Sequence, residues 1–165
     1  MILDNLETPG ISSQGQNWAF FTDGVMGGLS QGKAIISKVN DVNCYHMTGD
    51  VTTENNGGFI QIRMSLDKIK LDKAKSIKLI AKGNNQKYFV HLRTTGTLLP
   101  WQYYQAEFIV EENFKEFILP IEDFKKSGSL MLKKVNPKKI TSIGLVAYGR
   151  DHEAELTIKE IEFIN

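Results

Sequence analysis

An all-β fold, an antiparallel sandwich of two sheets of the jelly-roll type, is what this sequence predicts from three observations. Apolar and polar residues alternate in segment after segment. Clusters of Asn, Gly, Asp and Pro separate those segments at short intervals. Helical spacing is nearly absent. Many short strands with frequent turns fit two packed sheets better than any helical arrangement. The length of 165 residues predicts one domain over 1–165.

The first element to explain is FTDGVMGGLSQGKA, residues 21–34, which holds Gly24, Gly27, Gly28 and Gly32. Read from Gly27, it stops one residue short of a phosphate-binding loop, because Ala34 stands where a Ser or Thr hydroxyl would hold magnesium. Such a loop also needs a buried strand before it and a helix after it. The preceding GQNWAFF is not a buried parallel strand, and the following KAIISKV is β-branched and reads as a strand. The glycines therefore belong to a tight turn leading into a strand, where positive φ is tolerated. Asp23 is expected to tie the turn down by accepting backbone N–H groups, or to pair with Arg63 or Arg93. Trp18 and Met26 flank the turn, as core or as surface.

The strands follow in order. In CYHMTGDV, Tyr45, Met47 and Val51 share a face. SIKLIAK does the same with Ile77, Leu79 and Ala81. In YFVHLRT, Tyr88, Val90 and Leu92 oppose Phe89, His91 and Arg93. YYQAEFIV sets Tyr104, Ala106, Phe108 and Val110 against Tyr103, Gln105 and Glu107. PIEDFKKSG allows one helical turn after Pro120, ended at Gly128, and SLDKIKLDKAK allows no more than one. SIGLVAY aligns Ile143, Leu145 and Ala147. In AELTIKEIEF, Leu156 and Ile158 keep one phase while Ile161 and Phe163 keep the other, which predicts a bulge near Lys159.

Composition narrows the function classes. The net charge of +1 gives no electrostatic footprint for nucleic acid. Lysines cluster at 68–78 and 133–139, and read as solvated loops or edges. The single cysteine, Cys44, excludes an intramolecular disulfide and reads as a small buried hydrophobe. No Cys/His spacing suits zinc, and no metal or cofactor is expected. No apolar run approaches the ~18 residues of a membrane span. MILDNLETPG resembles neither a signal nor a transit peptide, so the expected location is the cytoplasm.

Several segments come in a characteristic order: W…FTDGVMGGLSQG, then NGGFIQIR at 56–63, YFVHLRT at 88–94, YYQAEF at 103–108 and ILPIEDF at 118–124. ITSIGLVAYG at 140–149 and AELTIKEIEFI at 154–164 follow. In this order the chain, from Trp18 to Ile164, resembles the complex I intermediate-associated protein 30 family, with D-G-V-M-G-G-x-S its most specific motif. The resemblance implies a galactose-binding-like β-sandwich and a non-enzymatic, assembly-factor or chaperone-like role towards a protein client. For the mitochondrial members that client is a respiratory complex I intermediate. The chain departs from those members in lacking a transit sequence, and is expected to be a stand-alone version of the domain.

Strand parity nominates a surface. Arg63, His91, Arg93, Tyr103 and Gln105 lie on the polar faces of three strands, with Trp101 just before the last of them and Trp18 just before the glycine turn. If those strands are neighbours, the residues form one face of donors, acceptors and flat rings. With Asp23 and Met26 they are the candidate partner- or ligand-binding residues. Two readings of the face stand: a binding surface, or the ordinary wet side of an antiparallel sheet. Its ligand is expected to be a protein client, with a small carbohydrate as the alternative. No enzyme is expected. Ser30 lacks a G-x-S-x-G elbow, nothing brings two of Asp23, Asp50 and Glu54 together, and His46, His91 and His152 are scattered.

Overall fold

The structure, a computed structural model, describes residues 1–165. Twelve strands form it: β1 (Ile2–Asp4), β2 (Ala19–Thr22), β3 (Gln31–Val39), β4 (Val42–Val51), β5 (Phe59–Ser65) and β6 (Ser76–Gly83). The second half holds β7 (Lys87–Thr94), β8 (Tyr104–Ile109), β9 (Lys115–Pro120), β10 (Lys125–Lys126), β11 (Ile140–Tyr148) and β12 (His152–Ile164). They make two antiparallel sheets. The first runs β3-β4-β12-β6-β9, with β1 added along β12; the second runs β10-β8-β7-β11-β5-β2. This is the sandwich that the alternation predicts.

One apolar cluster of 31 buried residues fills the space between the sheets. Its members are the residues whose parity points inward: Ile77, Leu79 and Ala81 from β6, Tyr88, Val90 and Leu92 from β7, and Ile143, Leu145 and Ala147 from β11. Tyr88 is fully buried, and its hydroxyl donates to Asn84 and accepts from the Glu155 N–H. That satisfies the one polar atom the core takes in with the ring.

The bulge on β12 lies where the phase changes. The β6–β12 ladder pairs Ile158 with Ala81 and then Glu160 with Ile80, leaving Lys159 as the extra residue. The slip keeps both Leu156 and Ile158 before it and Ile161 and Phe163 after it in the core. β12 also joins two partners along its other edge, β4 along its first half and β1 near its end.

Two expectations change. The turn after Pro120 is a 3-10 turn of Ile121–Asp123 only, and the chain extends again at Lys125 to pair with β8 instead of continuing to Gly128. The outer face of β7 is not simply wet: Phe89 and His91 are buried, because Tyr148 and Tyr103 cover them. No helix is long and apolar enough to cross a membrane.

Candidate functional site

The glycine segment folds around one carboxylate. Asp23 opens a 3-10 turn, Asp23–Met26, which ends at Gly27 in the left-handed region at φ 86°. Its side chain is fully buried. It accepts from the Ser30 N–H at 3.0 Å, the Gly58 N–H at 2.6 Å and the Phe59 N–H at 3.3 Å, and from the Ser30 hydroxyl. A Cβ on either Gly28 or Gly57 would strike the Asp23 carboxylate. The two sequence motifs, DGVMGG-S and NGGF, are therefore two halves of one knot. Burial raises the Asp23 pKa, but the Ser30 hydroxyl and the three N–H groups outweigh it, and the group ends below its usual range. Neither Arg63 nor Arg93 pairs with it, since every ion pair in the chain is made by a lysine or the N-terminus.

This knot closes one end of a groove of about 750 Å³ on the outer face of the second sheet. Between β7 and β5, where the sequence suggested direct neighbours, lies β11. Gly144 pairs with His91 on one side and Arg63 on the other, and Val146 pairs with Phe89 and Gln61. Gly144 keeps the floor open there, because a Cβ would come within 2.9 Å of Gln61 Oε1. The groove thus crosses five strands, from Tyr103 beside β8 to Phe21 on β2.

Of the residues nominated by sequence, Met26, Arg63, His91, Arg93, Trp101 and Tyr103 line the groove. Their duties differ. His91 stacks on Tyr103 with ring centroids 4.0 Å apart and planes 10° apart. Burial pushes its pKa down to about 4, so the ring is neutral at pH 7. Its Nε2 is buried without a hydrogen-bond partner. Arg93 donates to the carbonyls of Pro100 and Thr97 at 3.0 Å and of Leu99 at 3.1 Å, so it holds the loop that carries Trp101. Arg63 is exposed, lies 4.6 Å over the Phe21 ring, and has no carboxylate partner.

Three nominated residues lie elsewhere. Trp18 shares the parity of Phe20 and so turns inward, where its Nε1 donates to Asp4 at 2.8 Å and its ring meets Tyr45. Asp23 is enclosed by its own donors. Gln105 sits beside His91 at the margin, its Oε1 buried and unpartnered. Sequence reasoning did not nominate Phe21, Phe59, Gln61 or Tyr148, which also line the groove. Parity was available for all four: Phe21 opposes Phe20, Phe59 and Gln61 share a face with Arg63, and Tyr148 opposes Ala147. Phe59–Phe21 and Tyr148–His91 pack edge to face and fix the walls.

No lining residue is Asp or Glu. The walls offer N–H and O–H donors, ring faces and one free guanidinium. That set can grip a ligand, but it contains no carboxylate pair for acid–base work. Cys44 is buried in the other sheet, and burial raises its pKa.

Solved structures share this architecture. The family 11 carbohydrate-binding module of a Clostridium thermocellum cellulosomal cellulase aligns over 100% of this chain and 94% of its own, with TM-score 0.78 and 16% identity. A family 11 carbohydrate-binding module from Clostridium thermocellum in complex with a β-1,3-1,4-mixed-linked tetrasaccharide aligns over 99% and 94%, with TM-score 0.75 and 15% identity. A family 29 carbohydrate-binding module complexed with mannohexaose aligns over 97% and 86%, with TM-score 0.58 and 9% identity. At these identities the likeness is one of fold. No curated protein matches the chain in sequence. Residues 10–158 match the family described as Complex I intermediate-associated protein 30 (CIA30), and with that span covered the chain belongs to it.

Proposed function

We propose that this chain is a non-enzymatic binding domain with an assembly-factor role, and that the groove across the second sheet holds an extended segment of a protein client. The family's name gives the client class, an intermediate of respiratory complex I. The observation that carries the reading is the unpaired Arg63 in a groove of aromatic walls without a single carboxylate. A polypeptide offers such a groove both carbonyl acceptors and acidic side chains. The groove offers it the Arg63 guanidinium and the Gln61 amide. The role requires capture and release, and no bond is made or broken.

Arg63→Ala and Gln61→Ala in one chain are expected to cut client recovery in pull-downs at least about tenfold, since hydrogen bonds to a charged group contribute about 1.5–3 kcal/mol. The melting temperature is expected to stay within a few degrees, because Arg63 is exposed and Gln61 has no structural bond to lose. Equal recovery with wild type and variant sinks the reading.

A second reading, a carbohydrate-binding module, draws on a different observation: the tetrasaccharide complex of a neighbour with the same fold. The exposed Trp101 and the Tyr103 ring suit a sugar face. Titration calorimetry with mixed-linked β-glucan oligosaccharides separates the two. Heat of binding with the sugar and no client capture assigns the groove to carbohydrate.

A further inference from the structure

We propose that the end of the sandwich formed by residues 95–102 and 125–139 is a docking surface for an anionic lipid bilayer. The surface adjoins the groove at Pro100 and Trp101, and the proposal does not depend on the client reading.

Two loops meet there. The Ser127 hydroxyl donates to the Trp101 carbonyl at 2.8 Å, the Tyr104 hydroxyl donates to the Leu132 carbonyl at 2.8 Å, and the Thr95 N–H donates to the Lys139 carbonyl at 2.9 Å. Met131 and Val135 are buried and anchor the second loop. Lys126 Nζ caps the carbonyls of Ser129 and Met131, both at 3.2 Å. The residues between are thereby held outward: Leu130 is 92% exposed, Leu98 82%, Leu132 71% and Trp101 65%. Large apolar side chains fastened in water by a hydrogen-bonded loop need an explanation.

The charges around them supply one. The segment 125–139 contains six lysines and no acidic residue, and 95–102 contains no charge at all. None of these lysines has a carboxylate within 4.0 Å. The β5–β6 connection ends beside them, through the Leu66 N–H bond to Thr141 and the Ile121 N–H bond to Lys75, and adds four lysines against two aspartates. Apolar tips with a tryptophan, ringed by unpaired cations, match a bilayer surface whose headgroups are negative. The lysine stems lie along the apolar boundary while their ammonium groups stay with the phosphates. Protein interfaces are depleted in lysine and enriched in arginine; here the unengaged cations are lysines, since the one arginine, Arg93, is taken up by the carbonyls of Thr97, Leu99 and Pro100. The cytoplasmic leaflet is the anionic one.

Co-sedimentation with phosphatidylcholine vesicles, with and without phosphatidylserine, tests this on the intact chain. Wild type is expected to bind the serine-containing vesicles and to lose binding as salt rises. Lys133→Gln with Lys134→Gln is expected to weaken partition about thirtyfold, from the contribution of two lysines near the surface. Leu130→Ser with Leu132→Ser is expected to weaken it roughly tenfold or more. Both side-chain pairs are exposed, so melting temperatures should match wild type, and Gln61→Ala should leave vesicle binding unchanged. Absence of binding to anionic vesicles overturns the proposal, as does a leucine variant that binds like wild type. Retention on a polyglutamate resin with no vesicle binding reassigns the patch to an acidic protein and likewise overturns it. Client capture that fails while vesicle binding persists would reject the groove reading alone.

Discussion

Asp23 and His91 show how a single side chain sets conditions for the rest. Asp23 serves four donors, so Asp23→Ala leaves Ser30, Gly58 and Phe59 with buried, unanswered polar groups. A loss of about 3 kcal/mol or more is expected in urea unfolding. The folded pKa of Asp23 lies below its unfolded value, so its contribution is complete at neutral pH and fades as pH falls below about 4. His91 acts earlier on the same descent. Its folded pKa of about 4 lies below the 6.5 of an imidazole in the unfolded chain, so the unfolded chain takes up the proton first. Stability is therefore lost as pH drops from 6.5 towards 4, by up to a few kcal/mol at about 1.4 kcal/mol for each unit. His91→Phe is expected to flatten that part of the stability-against-pH curve, and an unchanged slope would remove His91 from the account. The sequence made Asp23 legible as a turn residue, since Asp beside glycine is a turn signal. It did not reveal the donors from Gly58 and Phe59, because they lie 35 and 36 residues away.

Among elements, β12 and β11 carry the most information. The phase change along β12 was legible, because burial on one face obliges inward residues to keep step. Deleting Lys159 removes the extra residue and should leave Ile161 and Phe163 inward, in unbroken alternation with Leu156 and Ile158. The cooperative thermal transition is therefore expected to persist. A deletion variant that no longer unfolds cooperatively would contradict the bulge. The neighbours of β11 were not legible. Its insertion between β7 and β5 widened the polar face and brought in Ser142, Gly144, Val146 and Tyr148. The Trp101 loop depends in turn on β7: Arg93→Ala removes three bonds to its carbonyls and is expected to lower the fluorescence anisotropy of Trp101 with a stability loss of about 1–3 kcal/mol. Arg93 is thus a positioning residue, while Arg63 is the one free to meet a ligand.

At the scale of the whole molecule, the ladders join distant segments: β1 to β12, β2 to β5, and β4 to β12. Closing such long loops precedes any gain from pairing, so refolding is expected in the millisecond-to-second range by stopped-flow fluorescence. A microsecond phase accounting for the full amplitude would contradict this. The topology also presents two surfaces, a polar-aromatic groove on a sheet face and a lysine-ringed apolar end, which meet at Pro100 and Trp101.

By itself the sequence determined that the chain is built of strands, which residues of each strand face the core, where β12 slips, and that the glycine segment is a turn around Asp23. These follow from period-two burial and local backbone preference, which neighbouring residues decide among themselves. Only the tertiary structure decided that β11 divides β5 from β7, that Trp18 turns inward, and that Arg93 is engaged while Arg63 is free. The reason is physical: strands pair through backbone groups that every residue carries alike, so the choice of partner is made by the packing of the whole core and is written in no single segment.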